Sequence, residues 1–203
     1  DITAVNATLN GDVSTNSAVS IKAAKAAKVN GAVSASGANS SVSISGEAAN
    51  ITGAVSADGA NSTVTIDSAD TTIGSDIAAN GKGAKVTAKS LSKLDGDVTT
   101  DTDGSVELTF KEGASWSGDN GGNTTMSLSK GSWNGANTGK LNAALTNGTT
   151  WTGDSSGAGS TIKLDASTWN GANSGANTVI NLTDSSWTGD NSGAGVVITA
   201  DNS

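Results

Sequence analysis

Residues 116–122 read WSGDNGG, and the same frame returns as WNGANTG at Trp133, WTGDSSG at Trp151, WNGANSG at Trp169 and WTGDNSG at Trp187. The tryptophans stand 17, 18, 18 and 18 residues apart, and each is followed two places later by glycine: Gly118, Gly135, Gly153, Gly171 and Gly189. Every block leads into an alternating apolar pair such as Ile162 and Leu164, or Ile180 and Leu182. Alternation with a period of two is the mark of a strand with one face turned inward. A fixed period of this length marks a stacked repeat.

The frame extends toward the N-terminus with an aliphatic residue in place of tryptophan. LNGDV begins at Leu9, VNGAV at Val29, ITGAV at Ile51 and LDGDV at Leu94, with an imperfect copy at Ile73 whose glycine, Gly74, comes one place early. The ten anchors Leu9, Val29, Ile51, Ile73, Leu94, Trp116, Trp133, Trp151, Trp169 and Trp187 are separated first by 20–22 residues and then by 17–18. A second apolar pair follows each early anchor, as in Val42/Ile44, Val64/Ile66, Val86/Ala88 and Val106/Leu108.

A unit this short cannot bury its own apolar stripe, but stacked units can. The expected fold is therefore all-β, a single parallel β-solenoid of about ten coils in one domain over 1–203. Long coils would fill 1–115 and short Trp-Gly coils 116–203. At ~4.8 Å per coil the rod would measure about 45–50 Å. Such a thin core explains the composition: Leu, Ile, Val and Phe total only 34 of 203 residues, while Ser, Thr, Ala and Asn supply 106. The net charge of -8 is too modest to force the chain open.

Coil length changes together with the anchor. In the long coils the residue four places after the anchor is apolar (Val13, Val33, Val55, Ile77, Val98). In the Trp coils it is Asn120, Asn137, Ser155, Asn173 or Asn191. Indole is expected to fill the space of an extra strand, so that the coil turns early and narrows. A bulky inward anchor would favour glycine two places on, since both positions point to one side of a strand. The residue three after each tryptophan alternates Asp119, Ala136, Asp154, Ala172, Asp190. That spacing keeps carboxylates about 10 Å apart, near the screening length, with Asp97 as an exception. IKAAKAAKV, residues 21–29, departs from the frame and suits a helical turn or a solvated bulge.

Composition excludes several chemistries. With no His and no Cys there is no thiol nucleophile, His-dependent triad, disulfide or usual zinc site. With no Arg and a pI near 4.3, nucleic acid and anionic membrane are poor partners. No apolar run is long enough to span a bilayer, so direct membrane insertion is not expected. No cofactor is expected. The densest acidic stretch, DGDVTTDTDG with Asp95, Asp97, Asp101 and Asp103, lacks the ligand spacing of an EF-hand. It reads as turn aspartates or a weak calcium site. The aspartates after tryptophan recur every 35 or 36 residues, not every nine as in a calcium-binding nonapeptide roll. The five tryptophans, replacing core anchors in register, read as an inward stack more readily than as an exposed sugar-stacking ladder.

Repeats of S/T-x-W-x-G followed by short alternating strands, on a Cys-free chain rich in Ser, Thr, Asn and Gly, resemble the passenger domains of bacterial autotransporters. These are the AIDA-like and pertactin-like surface proteins of type V secretion. The resemblance covers the whole chain as a style of repeat and carries over no functional residue. It implies a right-handed parallel β-helix, a stretch of a longer passenger, displayed outside a Gram-negative cell for adhesion, self-association or biofilm formation. The expected function is a non-enzymatic cell-surface adhesin or stalk, with host glycans, matrix proteins or copies of itself as partners. A polysaccharide-processing β-helix and a plain structural spacer are the alternatives. Asn120, Asn137, Asn173 and Asn191, with Asp119, Asp154 and Asp190 beside them, are the candidate contact residues, unless they serve only as turn ladders.

Overall fold

The computed structural model describes residues 1–101 and 103–203, and these form a β-solenoid of 21 strands without a helix. Every strand pairing is parallel and joins equivalent segments of successive coils. All ten anchors lie in one register: Leu9 pairs with Val29, then Ile51, Ile73, Leu94 and Trp116 follow. Trp116 pairs with Trp133, and Trp151, Trp169 and Trp187 continue the column. The imperfect copy at Ile73 keeps its place despite the early glycine.

Most strands belong to one 16-stranded sheet that wraps two sides of the solenoid. Its inner face carries the expected apolar columns, including Val42–Val64–Val86–Val106 and Leu128–Leu145–Leu164–Leu182. The third side is a five-stranded sheet of Val13–Thr15, Val33–Ala35, Val55–Ala57, Ile77–Ala79 and Val98–Thr100. This sheet stops where the tryptophans begin. From Val98 onward each coil keeps a single bridged residue at that place: Asn120, Asn137, Ser155, Asn173 and Asn191. The coil shortens because a whole strand has been reduced to one residue.

Indole fills the resulting core. The five rings stack face to face with centroids 4.4–4.8 Å apart and planes within 4–6° of parallel. The solenoid pitch sets that spacing, near the short end of the range for offset aromatic pairs. Below Trp116 the column continues with Leu94, and Phe110, on the same strand as Trp116, packs beside its ring with centroids 6.2 Å apart. Each indole N–H donates to the glycine carbonyl of the preceding coil: Trp116 to Gly96, Trp133 to Gly118, Trp151 to Gly135, Trp169 to Gly153 and Trp187 to Gly171, at 2.8–3.0 Å. A Trp in a dry core is thereby left without an unpaired donor.

The same carbonyls explain the glycine after each tryptophan, for a reason other than anchor bulk. A Cβ at Gly135 would stand 1.9 Å from the Gly118 oxygen, and one at Gly153 would stand 2.0 Å from the Gly135 oxygen. The backbones of successive coils approach too closely there for any side chain.

Two further expectations change. IKAAKAAKV is neither helix nor excursion: it lies in the 13-residue strand Ala18–Asn30. Ala23, Ala27 and Val29 are buried, while Lys22, Lys25 and Lys28 are exposed. A register shift against the first strand absorbs the three-residue lysine spacing. Ladder pairing on both sides outweighs the helix propensity of Ala and Lys. The aspartates tolerate close stacking because each carboxylate, though still charged, accepts a hydrogen bond from a backbone amide of the next coil. Oδ1 of Asp76, Asp97 and Asp119 accepts the backbone N–H of Asp97, Asp119 and Ala136, respectively, in the coil above at 2.8–2.9 Å. Consecutive Asp76, Asp97 and Asp119 thus form a capped ladder, which accounts for the exception at Asp97.

Candidate binding surface

Of the asparagines expected on the surface, Asn120, Asn137 and Asn173 are fully buried, each at 0% exposure; Asn191 alone is exposed. They form the ladder that was the alternative to a contact role. They occupy the inward position of the lost strand, where an unpaired amide would be costly, and they bond along the column. Asn120 Nδ2 donates to Asn137 Oδ1 at 2.7 Å, and Asn137 Nδ2 to Ser155 Oγ at 3.0 Å. Asn173 Nδ2 donates to Asn191 Oδ1 at 2.8 Å. Asn120 Oδ1 also accepts from the Thr124 hydroxyl at 2.7 Å. An amide can replace Val98 here because it carries a donor and an acceptor, so Asn120, Asn137 and Ser155 form one linked run and Asn173 and Asn191 another.

Asp119, Asp154 and Asp190 are exposed along the corner between the indole strand and the asparagine column. Oδ1 of Asp119 and of Asp154 caps the amide of Ala136 and Ala172 at 2.8 Å. In the acidic stretch, Asp95 pairs with Lys93 at 2.5 Å, and Asp97 caps Asp119. Asp101 Oδ1 accepts from the amides of Asp103 and Gly104. Thr102, within the same stretch, lies outside the described residues. No cluster of three metal-ligating side chains occurs among the described residues.

On the outer face of the large sheet, ion pairs tie neighbouring coils and, in one case, coils two apart. Lys85 meets Glu107 at 2.8 Å, Lys89 meets Asp67 at 2.7 Å, Lys111 reaches Asp70 at 3.0 Å, and Lys130 pairs with Glu112. A hydrogen bond from Ser92, and then the Lys111 ammonium, hold the Asp70 carboxyl below the usual carboxylate range. Lys85 does the same to Glu107, and Asp67 raises the Lys89 ammonium. Beside Glu107 lies a shallow depression of about 260 Å³, reaching past Thr125, Ser127 and Asn142 to Lys163. It opens because Ser127 and Ala144 are short.

A further regular surface was not singled out from the sequence. It is the outer face of the indole strands. With tryptophan inward, the residues on either side of it point out. They form two straight rows: Ser115, Ser132, Thr150, Thr168 and Ser186 before the indoles, and Ser117, Asn134, Thr152, Asn170 and Thr188 after them. All ten are short, polar and uncharged, and all but the half-buried Ser115 and Thr168 are exposed. None of their side chains makes a hydrogen bond among the described residues, although side chains elsewhere on the solenoid bond from coil to coil. The signal was present in the sequence as the constant short polar neighbours of every tryptophan.

Compared with protein-family models, with curated proteins and with solved structures, the chain matches none of them.

Proposed function

We propose that this chain is a non-enzymatic adhesin or stalk of the autotransporter passenger type, held outside a Gram-negative cell. It would attach that cell to host glycans or matrix proteins, or to copies of itself. The observation that carries the reading is the double row of ten unpaired, uncharged polar side chains, in register over five coils. Such a surface has no deep cleft to enclose a small molecule. It suits many weak contacts in parallel, whose strength comes from summation. The acidic groups fit this reading, since the best-placed carboxylates are committed to backbone amides or lysines.

The test is attachment. Beads carrying the chain at high density are expected to adhere to glycan- or matrix-coated surfaces, or to clump with one another, where beads carrying an unrelated acidic protein do not. Beads that remain inert on every surface and toward each other would reject adhesion. The single unbroken column would then favour the spacer reading.

A further inference from the structure

The polar face over the indoles has a regularity that the core beneath it lacks. In the row after the tryptophans the side chains run Ser117, Asn134, Thr152, Asn170, Thr188: hydroxyl, amide, hydroxyl, amide, hydroxyl. In step with them the bordering corner runs Asp119, Ala136, Asp154, Ala172, Asp190. The core repeats every coil, whereas this surface repeats every second coil, about 9.6 Å at ~4.8 Å per strand spacing. Capping accounts for the aspartates, because one carboxylate serves the amide of the next coil. No packing requirement accounts for Asn134 and Asn170, whose side chains point to solvent and bond to nothing in the described protein.

We infer that this face seats an extended, uncharged polysaccharide lying along the solenoid axis, with two sugar residues for every two coils. The inference rests on the adhesin reading and names its ligand class.

Three features select that ligand. The ten side chains offer unpaired donors and acceptors together, which matches the dual character of sugar hydroxyls. The face carries no charge, and Asp119, Asp154 and Asp190 line one border. Oδ1 of Asp119 and Asp154 is occupied by an amide, which leaves the second oxygen to accept from a sugar hydroxyl. The same border repels sulfated or uronic acid chains. Finally, a flat glycan ribbon whose successive sugars are turned over presents like groups to one side at every second residue, the period of this surface. Ice, whose lattice is matched coil by coil, gives no reason for the alternation. The five coils span about 19 Å, enough for a short run of sugars. With no exposed aromatic platform, single contacts are weak, and binding depends on repetition along the polymer.

The experiment uses the whole chain in cosedimentation with microcrystalline cellulose, chitin and insoluble mannan, and in affinity electrophoresis with heparin and polygalacturonate. Two double variants are compared after circular dichroism confirms that each keeps its fold: Thr152→Lys with Asn170→Lys on the indole face, and Thr125→Lys with Asn142→Lys on the outer face of the large sheet. The expected result is binding to at least one neutral polymer, none to the polyanions, and at least about a tenfold loss in the indole-face variant only, since it interrupts the middle of a multivalent row. Binding to no neutral polymer, preference for the polyanions, equal loss in both variants, or ice shaping without glycan binding would each overturn the inference. Beads that adhere or clump while ignoring every polysaccharide would overturn it and leave the adhesin reading standing.

Discussion

The coils anchored by Leu9 to Leu94 and those anchored by Trp116 to Trp187 share one column of inward residues but close their cores differently. The aliphatic coils need a third side of short strands, Val13–Thr15 through Val98–Thr100. The indole coils do without it and put a hydrogen-bonded amide or hydroxyl in its place. The outer chemistry changes at the same boundary. In the long coils the rows beside the anchors are partly spent on internal contacts: Asn30 with Asn10, Thr72 with Ser92, Lys93 with Asp95. Above the boundary these rows are uncharged and unpaired. A larger core residue therefore does two things: it shortens the coil, and it frees the outer face from a structural role.

The sharpest way to break this comparison is to remove an indole from the middle of the stack. Trp151→Ala deletes a fully buried ring, one indole donor and two stacking contacts. We expect a loss of about 3–5 kcal/mol from the cavity, with up to ~1 kcal/mol more for each lost stack. Ile51→Ala in the same column of a long coil should cost less, about 2–4 kcal/mol. Urea denaturation followed by far-ultraviolet circular dichroism measures both. Equal costs would mean that indole stacking contributes nothing beyond volume.

The amide column gives a smaller effect. Asn137→Ala removes the acceptor of Asn120 Nδ2, which keeps only the Gly122 carbonyl at 3.2 Å, and takes away the donor to Ser155. A cost of about 1–3 kcal/mol is expected, read from the same denaturation curves. A neutral result would show that water serves the column as well as the neighbouring amide does.

How far the sequence could be read follows from the same contrast. The anchors, the apolar anchor-plus-four residues and the paired strands were legible because register in a parallel stack demands like residues at like places. For Asn120, Asn137 and Asn173 a ladder was legible but its burial was not, because a lone asparagine is normally a surface residue. Stacked partners, as in Asn120 with Asn137 and Asn173 with Asn191, make burial affordable. Lys22, Lys25 and Lys28 misled in the opposite sense: local helix propensity argued against a strand that pairing on both sides enforces. The two outer rows could have been read directly from the short polar neighbours of each tryptophan, once inward indoles were assumed.

The smallest effect belongs to the ion pairs, all of which, among the described residues, lie at or before Lys130. Asp70 and Glu107 have lowered pKa values in the fold, so their contribution is complete above the ordinary carboxylate range, about pH 4. It is lost as pH falls through the depressed values. Both side chains are nearly half exposed, so Asp70→Asn should cost below about 0.5 kcal/mol after screening. Its curve should converge with that of the unaltered chain toward pH 2. A gap that persists at low pH would show that the Asp70 carboxylate acts through something other than its charge.

The central claim is that equivalent residues sit directly above one another from the aliphatic coils into the indole coils. The chain has no cysteine, so spin labels can be placed at will, and Ser43 and Thr161 stand in one outward row six coils apart. Pulsed electron resonance between labels at these sites should give a single distance near 29 Å, at ~4.8 Å per coil. Moving the second label to Val179, one coil further along the same row, should lengthen it by a single coil spacing. A broad distribution, or a distance unrelated to the number of coils, would contradict the stacked column and the surfaces built on it.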